Sequence, residues 1–230
     1  MSSPIRLAEV GTIIGDPARA TMLCALLDGR RHSATDLALA AGVSPQTASW
    51  HLAKLADGRL ISAERQGRNR YFRLASTLVA QALETMMAFA ESQPSRARVL
   101  SEREKALRHA RTCYDHLAGK LGVALTEALT REKLIELSAE GGLVTSHGAK
   151  LLSDFGVDLP ALRQSKRPLC RSCLDWSEQK PHLAGAIGAA LTSRCFDLGW
   201  VRRLPDTRAV AITPAGARGF TEQFGSALAI

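Results

Sequence analysis

Two places in the second half of this chain carry residues that could hold an ion. Cys170-Arg171-Ser172-Cys173 has the two-residue gap that lets both thiolates reach one centre. Upstream, His109, Cys113 and His116 fall at i, i+4 and i+7, which on a helix sets all three on one face. Cys113, His116, Cys170 and Cys173 together predict a two-part, tetrahedral, sulfur-rich site. Its softness suits Zn(II), Cd(II) or Pb(II) better than Mg(II) or Ca(II). Arg111, Arg167 and Arg171 stand near these residues in the sequence and would favour the thiolate form. His182 and Cys195 are reserve donors. Two other readings stay open: a thiol pair that senses redox state, and cysteines that are only small buried apolar groups. Cys24, on the apolar face of its segment, is of the last kind.

A different chemistry is written between Val43 and Leu74, VSPQTASWHLAKLADGRLISAERQGRNRYFRL. Ser44 suits a helix N-cap and Pro45 the first helical position, where the missing N–H costs nothing. Val43, Ala48, Leu52 and Leu55 then make one buried stripe at helical spacing. Off that stripe lie Gln46, Thr47, Ser49, Trp50, Ala53 and Lys54, and Ser44, Pro45, Gln46, Thr47, Ser49, Trp50, His51 and Lys54 are the candidate contacts to DNA. Gly58 stops the helix. Leu60–Glu64 and Tyr71–Leu74 read as strands around the turn Gln66-Gly67-Arg68-Asn69. Arg65, Arg68, Asn69 and Arg70 on that hairpin suit phosphate or a narrow minor groove. Upstream, Ala34–Ala41 makes a short helix that Gly42 breaks, completing a helix-turn-helix. Asp16-Pro17 begins an earlier helix with Ala20, Leu23, Cys24 and Leu27 on its apolar face, and Gly29 ends it.

Residues 1–92 resemble the arsenic-repressor (ArsR) family of winged-helix regulators, through GDPARATMLCALL (Gly15–Leu27), VSPQTASWHLAKL (Val43–Leu55) and RQGRNRYFRL (Arg65–Leu74). The resemblance implies a homodimeric repressor of double-stranded operator DNA, paired through Ile5–Ile14 and Ser76–Ser92. Val79, Leu83, Met86 and Met87 would form the dimer face of the latter. Where many members carry a cysteine pair, this chain has Arg31-His32-Ser33-Ala34-Thr35-Asp36-Leu37, and its helix after the wing lacks the Asp/His set of others. Some long members carry a CYDHLAG-like helix and a late C-x-x-C, here Cys113–Gly119 and Cys170–Cys173. That extends the resemblance along nearly the whole chain and implies a sensor of the cadmium/lead kind. A thiol-redox or small-molecule effector is the alternative.

Composition agrees. A net charge of +8 and a pI near 9.7 favour a polyanionic partner. The 230 residues are enough for one to two domains. No apolar run is long enough to span a membrane, no signal-peptide pattern opens the chain, and a cytoplasmic protein is expected. An odd number of cysteines, five, does not make a disulfide framework. A zinc enzyme is the competing class, but none of the six histidines is followed two residues later by Glu, and Leu169 spoils a P-C-x-x-C reading of Pro168–Cys173. Neither a P-loop nor a G-x-G-x-x-G occurs.

Beyond Gln93-Pro94-Ser95, a polar linker, the character changes. Residues 100–137 are rich in helix formers. Val144–Asp154 then matches Ile212–Glu222, each reading as a strand, a Thr cap, a Gly-Ala-basic step and an amphipathic helix. Between them, HLAGAIGAALTSRCFDLG reads as an apolar helix before the strand Trp200–Arg203. The expected fold is mainly α with small β wings. A winged helix-turn-helix domain over 1–92 precedes a second helical, winged-helix-like domain over 96–230 that takes an effector.

Overall fold

The computed structural model describes residues 3–94, 99–138 and 141–225. Its chain divides into two compact units, Met1–Leu83 and Glu84–Ile230. The expected linker leaves the described residues at Ser95, and the expected start of the second domain at 96 lies outside them.

The first unit runs α1 (Pro4–Ile14), α2 (Pro17–Leu26), β1 (His32–Ser33), α3 (Ala34–Ala41), α4 (Pro45–Asp57), β2 (Ile61–Gln66) and β3 (Asn69–Leu74). Local chemistry sets these boundaries. Asp16 caps α2 by accepting from the Arg19 N–H, and Ser33 with Asp36 closes a capping box on α3. Gly42 ends α3 at φ +64°, and Ser44 caps α4 by accepting from the Thr47 N–H. Met22, Leu23, Leu26, Leu37, Ala48, Leu52 and Leu55 bury the inner faces of α2, α3 and α4. β1, β3 and β2 form one antiparallel sheet in that order. The β2–β3 hairpin turns through Gly67-Arg68, with Gly67 at φ +62° as a two-residue hairpin loop requires. This is a winged helix-turn-helix.

The next helix, α5 (Thr77–Ser92), contains the boundary between the units. The four residues expected to form a dimer face differ in burial. Leu83 is buried and Val79 and Met87 are half-buried, while Leu78, Met86 and Phe89 are exposed.

The rest of the second unit is a duplication. Its first copy is α6 (Glu102–His109), β4 (Arg111–Cys113), β5 (His116–Ala118), α7 (Gly119–Arg131), β6 (Ile135–Leu137), β7 (Gly142–Val144) and α8 (Ser146–Asp154). The second is α9 (Leu159–Arg163), β8 (Arg171–Leu174), β9 (Pro181–Ala184), α10 (Gly185–Asp197), β10 (Val201–Arg203), β11 (Val210–Ile212) and α11 (Pro214–Phe224). Thr145 and Thr213 cap α8 and α11 as the repeat predicted, accepting from the Gly148 and Gly216 N–H groups. Each copy holds two antiparallel hairpins. The segments α7–β6–β7 and α10–β10–β11 have the order of a helix and its wing, but a further hairpin precedes each.

The copies exchange contacts. α7 packs on β9 and α10 on β5. Gly142 bridges to Cys170, and Arg111 to Ala209, so the first hairpin of each copy meets the last hairpin of the other. One apolar core from Leu117, Leu121, Leu129, Leu152, Phe155, Leu183, Ile187, Leu191, Phe220 and Phe224 serves both. Gly122 and Gly188 let each helix lie against the strand before it in its own copy, and a Cβ on Gly188 would also come within 3.2 Å of His116 Cβ in the other copy. A Cβ on Gly122 would stand 2.4 Å from the Leu117 carbonyl oxygen, and one on Gly188 2.4 Å from that of Leu183.

Two expectations are corrected. Cys113 and His116 do not share a helix with His109, because α6 stops at that residue and the chain turns into the β4–β5 hairpin. His182 lies on β9, before the helix rather than in it, since α10 begins only at Gly185.

Candidate nucleic-acid interface and metal centre

On α4, Ala48, His51, Leu52 and Leu55 are buried, while Pro45, Gln46, Thr47, Ser49, Trp50 and Lys54 are exposed. Two hydroxyls already have local partners. The Thr47 Oγ1 lies 2.8 Å from the capping Ser44 Oγ, and the Ser49 Oγ donates to the Pro45 carbonyl at 2.9 Å. Gln46, Trp50 and Lys54 are left as the long outward side chains, with the Lys54 ammonium 5.8 Å from the Trp50 ring centre. His51 does not join them. Its Nδ1 sits 3.4 Å from Arg19 Nη1 and 3.6 Å from Asp16 Oδ1, and the side chain is buried. The reason is helical phase: position 51 is three after Ala48 and four before Leu55, on the core stripe. His51, expected among the contacts, is therefore buried on the packing face of α4.

The wing is basic and exposed. Arg65 stands directly across the hairpin from Arg70, and Gln66 from Asn69. Two guanidinium groups facing each other repel unless an anion lies between or beside them. Glu64 does not serve, being engaged by Arg73 at 2.7 Å and Arg31 at 3.3 Å. Among the described residues, no carboxylate pairs with Arg65, Arg68 or Arg70.

In the second unit four donors converge. The ligand atoms of Cys113, His116, Cys173 and His182 all lie within 4.8 Å of one another, and all four residues are buried. Cys113 pairs with His116 across the β4–β5 hairpin, and Cys173 with His182 across β8–β9. Each copy thus contributes one thiol and one imidazole. The two-residue loop Tyr114-Asp115 makes the first pairing possible, with Tyr114 at φ +61°, uncommon for a bulky side chain. The two sulfurs are 3.9 Å apart. A tetrahedron with metal–sulfur bonds near 2.3 Å has an edge of about 3.8 Å. The imidazole rings are stacked with centres 5.0 Å apart. Small buried residues, Ala118 and Ala184, pack against the two sulfurs.

The histidines need a partner here. His116 Nε2 and both ring nitrogens of His182 are buried without a hydrogen bond. A polar atom left so costs about 1–3 kcal/mol. Burial pushes the Cys113 thiol up, whereas the adjoining Cys113 thiol and the neighbouring imidazoles of His116 and His182 draw Cys173 down.

A carboxylate backs each histidine. His116 Nδ1 is 3.1 Å from Asp115 Oδ1, and His182 Nδ1 is 3.5 Å from Asp175 Oδ2. Each carboxylate is held by an arginine from the other copy. Arg167 grips Asp115 in a fork at 2.6 and 3.0 Å, and Arg111 reaches Asp175 at 2.9 Å. Burial raises both carboxyls, but the opposing contacts win and bring each to about 2: the His116 and Arg167 contacts at Asp115, and Arg111 and His182 at Asp175. Arg111 and Arg167, expected to act on thiols, act on carboxylates instead.

Cys170 does not reach the cluster. It lies in the apolar core, where burial lifts its thiol to about 11, and Cys195 shares that core with its thiol at about 12. His109 is exposed at the end of α6. The structure therefore gathers Cys113, His116 and Cys173 of the expected donors and replaces Cys170 with His182. A sequence signal for this existed. Cys113-Tyr114-Asp115 recurs as Cys173-Leu174-Asp175, and His116-Leu117-Ala118-Gly119 as His182-Leu183-Ala184-Gly185.

Residues 14–62 match the family model described as a helix-turn-helix domain. Over 217 residues the chain is 42% identical to the helix-turn-helix-type transcriptional regulator YdfF of Bacillus subtilis, covering 93% of this chain and 95% of that one. Solved structures give shorter matches. A homodimeric winged helix-turn-helix DNA-binding domain from Mycobacterium bovis is 25% identical, with 44% of this chain and 98% of that one covered and a TM-score of 0.38. A cadmium sensor from Mycobacterium tuberculosis is 30% identical, with 42% and 99% covered and a TM-score of 0.32. Among the described residues, no helix is long and apolar enough to cross a membrane.

Proposed function

Given that the chain belongs to the same family of helix-turn-helix transcriptional regulators as YdfF, we propose that it is a long ArsR-type repressor that leaves its operator when a soft divalent ion enters the second unit. Residues 1–92 bind duplex DNA and dimerise, and residues 96–230 sense the ion. The protein works in the cytoplasm, where DNA and reduced thiols coexist, and it regulates rather than catalyses.

DNA contact follows from the exposed α4 face and the wing. Gln46, Trp50 and Lys54 reach base edges, with Ser44, Pro45, Thr47 and Ser49 at the helix start near the backbone. Arg65, Arg68, Asn69 and Arg70 meet phosphate or the minor groove. A second copy covers the apolar side chains that α1 leaves exposed at Ile5, Leu7 and Val10, and those of α5 at Leu78, Met86 and Phe89.

The observation that carries the ion is the convergence of two thiols and two imidazoles with unpartnered ring nitrogens in one buried cluster. Two sulfurs and two nitrogens form a closed tetrahedral set, and exchanging one expected thiolate for imidazole moves the preference from Pb(II) toward Zn(II), with Cd(II) second. A redox reading competes because the two sulfurs lie 3.9 Å apart. Metal analysis of reduced protein purified without chelator separates them. One zinc or cadmium per chain is expected, with affinity for a duplex selected from a random pool falling about 5- to 150-fold on metal addition. Protein that holds no metal, and releases DNA only on oxidation with loss of two thiols, overturns the ion in favour of redox sensing.

A further inference from the structure

The two sets of contacts behind the histidines end in different places. Asp115 and Arg167 are both partly exposed, 28% and 33%, so that arm finishes at solvent. The other arm is dry. Asp175 and Arg111 are fully buried, and the guanidinium lies 4.4 Å from the centre of the Trp176 ring. From Arg111 the charge continues to Glu84, whose Oε2 is 3.9 Å from Nη2 and has no hydrogen bond of its own. Glu84 also takes a charge-assisted hydrogen bond from Arg208. Glu84 belongs to α5, the helix in which the first unit ends and the second begins.

We propose that Asp175, Arg111 and Glu84 form a relay that positions His182 and carries ion occupancy from the centre to helix α5. This rests on the ion reading above. An ion bound by His182 Nε2 holds that ring with Nδ1 toward Asp175, since the atom opposite the metal donates to a carboxylate and fixes ring and tautomer. Asp175 is then committed as an acceptor between His182 and Arg111. It is already saturated elsewhere: Oδ2 accepts from the Gly119 N–H at 2.6 Å, and Oδ1 from Ser177 N at 2.9 Å and Ser177 Oγ at 2.8 Å. With its carboxylate fixed in place, a gain or loss of the His182 contact changes the charge that Oδ2 presents to Arg111. That guanidinium is pinned at Nη1 by the Leu107 carbonyl and Ser177 Oγ, both at 3.1 Å, while Nη2, which makes no hydrogen bond, faces Asp175 at 2.9 Å and Glu84 at 3.9 Å as an ion pair. In a buried setting such ion pairs act over distance with little screening. The ion biases α5 only through a difference in affinity between its two settings, and the relay supplies that difference. The solvent-ended arm of Asp115 and Arg167 steadies His116 without reaching α5.

The test compares DNA affinity with and without zinc in wild-type protein, Glu84→Gln and Arg167→Gln, with cobalt(II) absorption reporting the centre. The wild-type ratio is expected at about 5- to 150-fold. Glu84→Gln should keep one zinc per chain, a tetrahedral cobalt spectrum and the zinc-free DNA affinity, while its ratio falls below about 3-fold. Arg167→Gln should keep the ratio. Arg111→Lys, which retains the buried charge but not the fork, should also lower the ratio and serves where Glu84→Gln does not fold. A full ratio in Glu84→Gln or Arg111→Lys, or an equal loss in Arg167→Gln, overturns the relay while leaving the centre intact. Wild-type protein without zinc overturns the centre and the relay together.

Discussion

The outer face of α4 and the Cys/His cluster gather their residues in opposite ways. Gln46, Trp50 and Lys54 lie four apart along one helix and are exposed. Cys113 and Cys173 are 60 residues apart, on different hairpins, and buried. A site on one exposed helix face can change without disturbing the fold beneath it. A site at the seam of two repeats cannot, because its donors are also part of what joins them. Substitutions on α4 and the wing should therefore move binding and spare stability, while those at the cluster should move both.

The largest effect should come from Cys173→Ser. Losing one of four donors should weaken zinc by at least about 100-fold, the upper end of what even outer partners cost, and lower the thermal midpoint of zinc-loaded protein. Cys170→Ser should keep one zinc per chain and cost only the burial of a hydroxyl, about 1–3 kcal/mol. Metal content and thermal melts of the two variants decide the matter; retained zinc in the first and lost zinc in the second would reverse the assignment.

Gly188→Ala should destabilise the seam by about 1–3 kcal/mol, since the new methyl would stand 2.4 Å from the Leu183 oxygen and 3.2 Å from His116 Cβ. Gly11→Ala on α1 meets nothing of its own chain within 4 Å and should stabilise the folded chain by about 0.4–1 kcal/mol. Urea titrations giving both changes the same sign would erase the contrast between seam and surface.

On the DNA side, Gln46→Ala should cost about 1–3 kcal/mol of discrimination against the wrong base. Arg68→Ala and Arg70→Ala should weaken binding to all duplexes and each reduce the slope of log affinity on log salt by about one. Salt titrations on selected and scrambled duplexes separate the two behaviours, and melts should show neither set destabilised by more than about 0.5 kcal/mol. His51→Ala should do the reverse, losing stability with base preference intact.

The smallest effect expected is acid sensitivity at Asp28. Burial raises this carboxyl, but His32 at 3.0 Å and Arg30 at 2.6 Å bring it below its ordinary 3.8. Because the folded value is the lower one, its contribution is complete above about pH 4 and is lost as pH falls through the folded value. Asp28→Asn should flatten that part of the stability curve; an unchanged acid limb would show that Asp28 does not drive it.

Much of the first unit was legible because its determinants are local. Ser44, Pro45, the stripe from Ala48 to Leu55 and the Gly67 turn each act within a few residues, and the elements form close to the expected places, although β2 and β3 each run two residues further into the turn and α2 stops at Leu26 rather than at Gly29. The burial of His51 is not legible, because a polar ring at the margin of the stripe says little about which way it turns until Arg19 and Asp16 are in place. The second unit was legible in fragments. The repeat at Val144 and Ile212 is visible in the sequence, while the matching Cys-x-Asp and His-Leu-Ala-Gly segments are hidden as long as Cys113–Gly119 suits a helix. Residues 100–137 are rich in helix formers, yet Arg111–Ala118 forms a hairpin, since each of its strands completes a contact with the other copy.

The sequence by itself determined the helix-turn-helix, its caps, its basic wing and the existence of a thiol-rich second half, for these depend on periodicity and on hydrogen bonds closed within a turn or two. Which donors meet was decided only by tertiary structure. Cys170 and Cys173 lie three apart on extended chain, and an odd separation sends side chains to opposite faces of a strand. One sulfur therefore enters the apolar core and the other meets His182, brought opposite it by the β8–β9 register. No spacing rule applied to C-x-x-C alone distinguishes that outcome from a shared ion, because the choice rests on backbone conformation and on a partner strand from elsewhere in the fold.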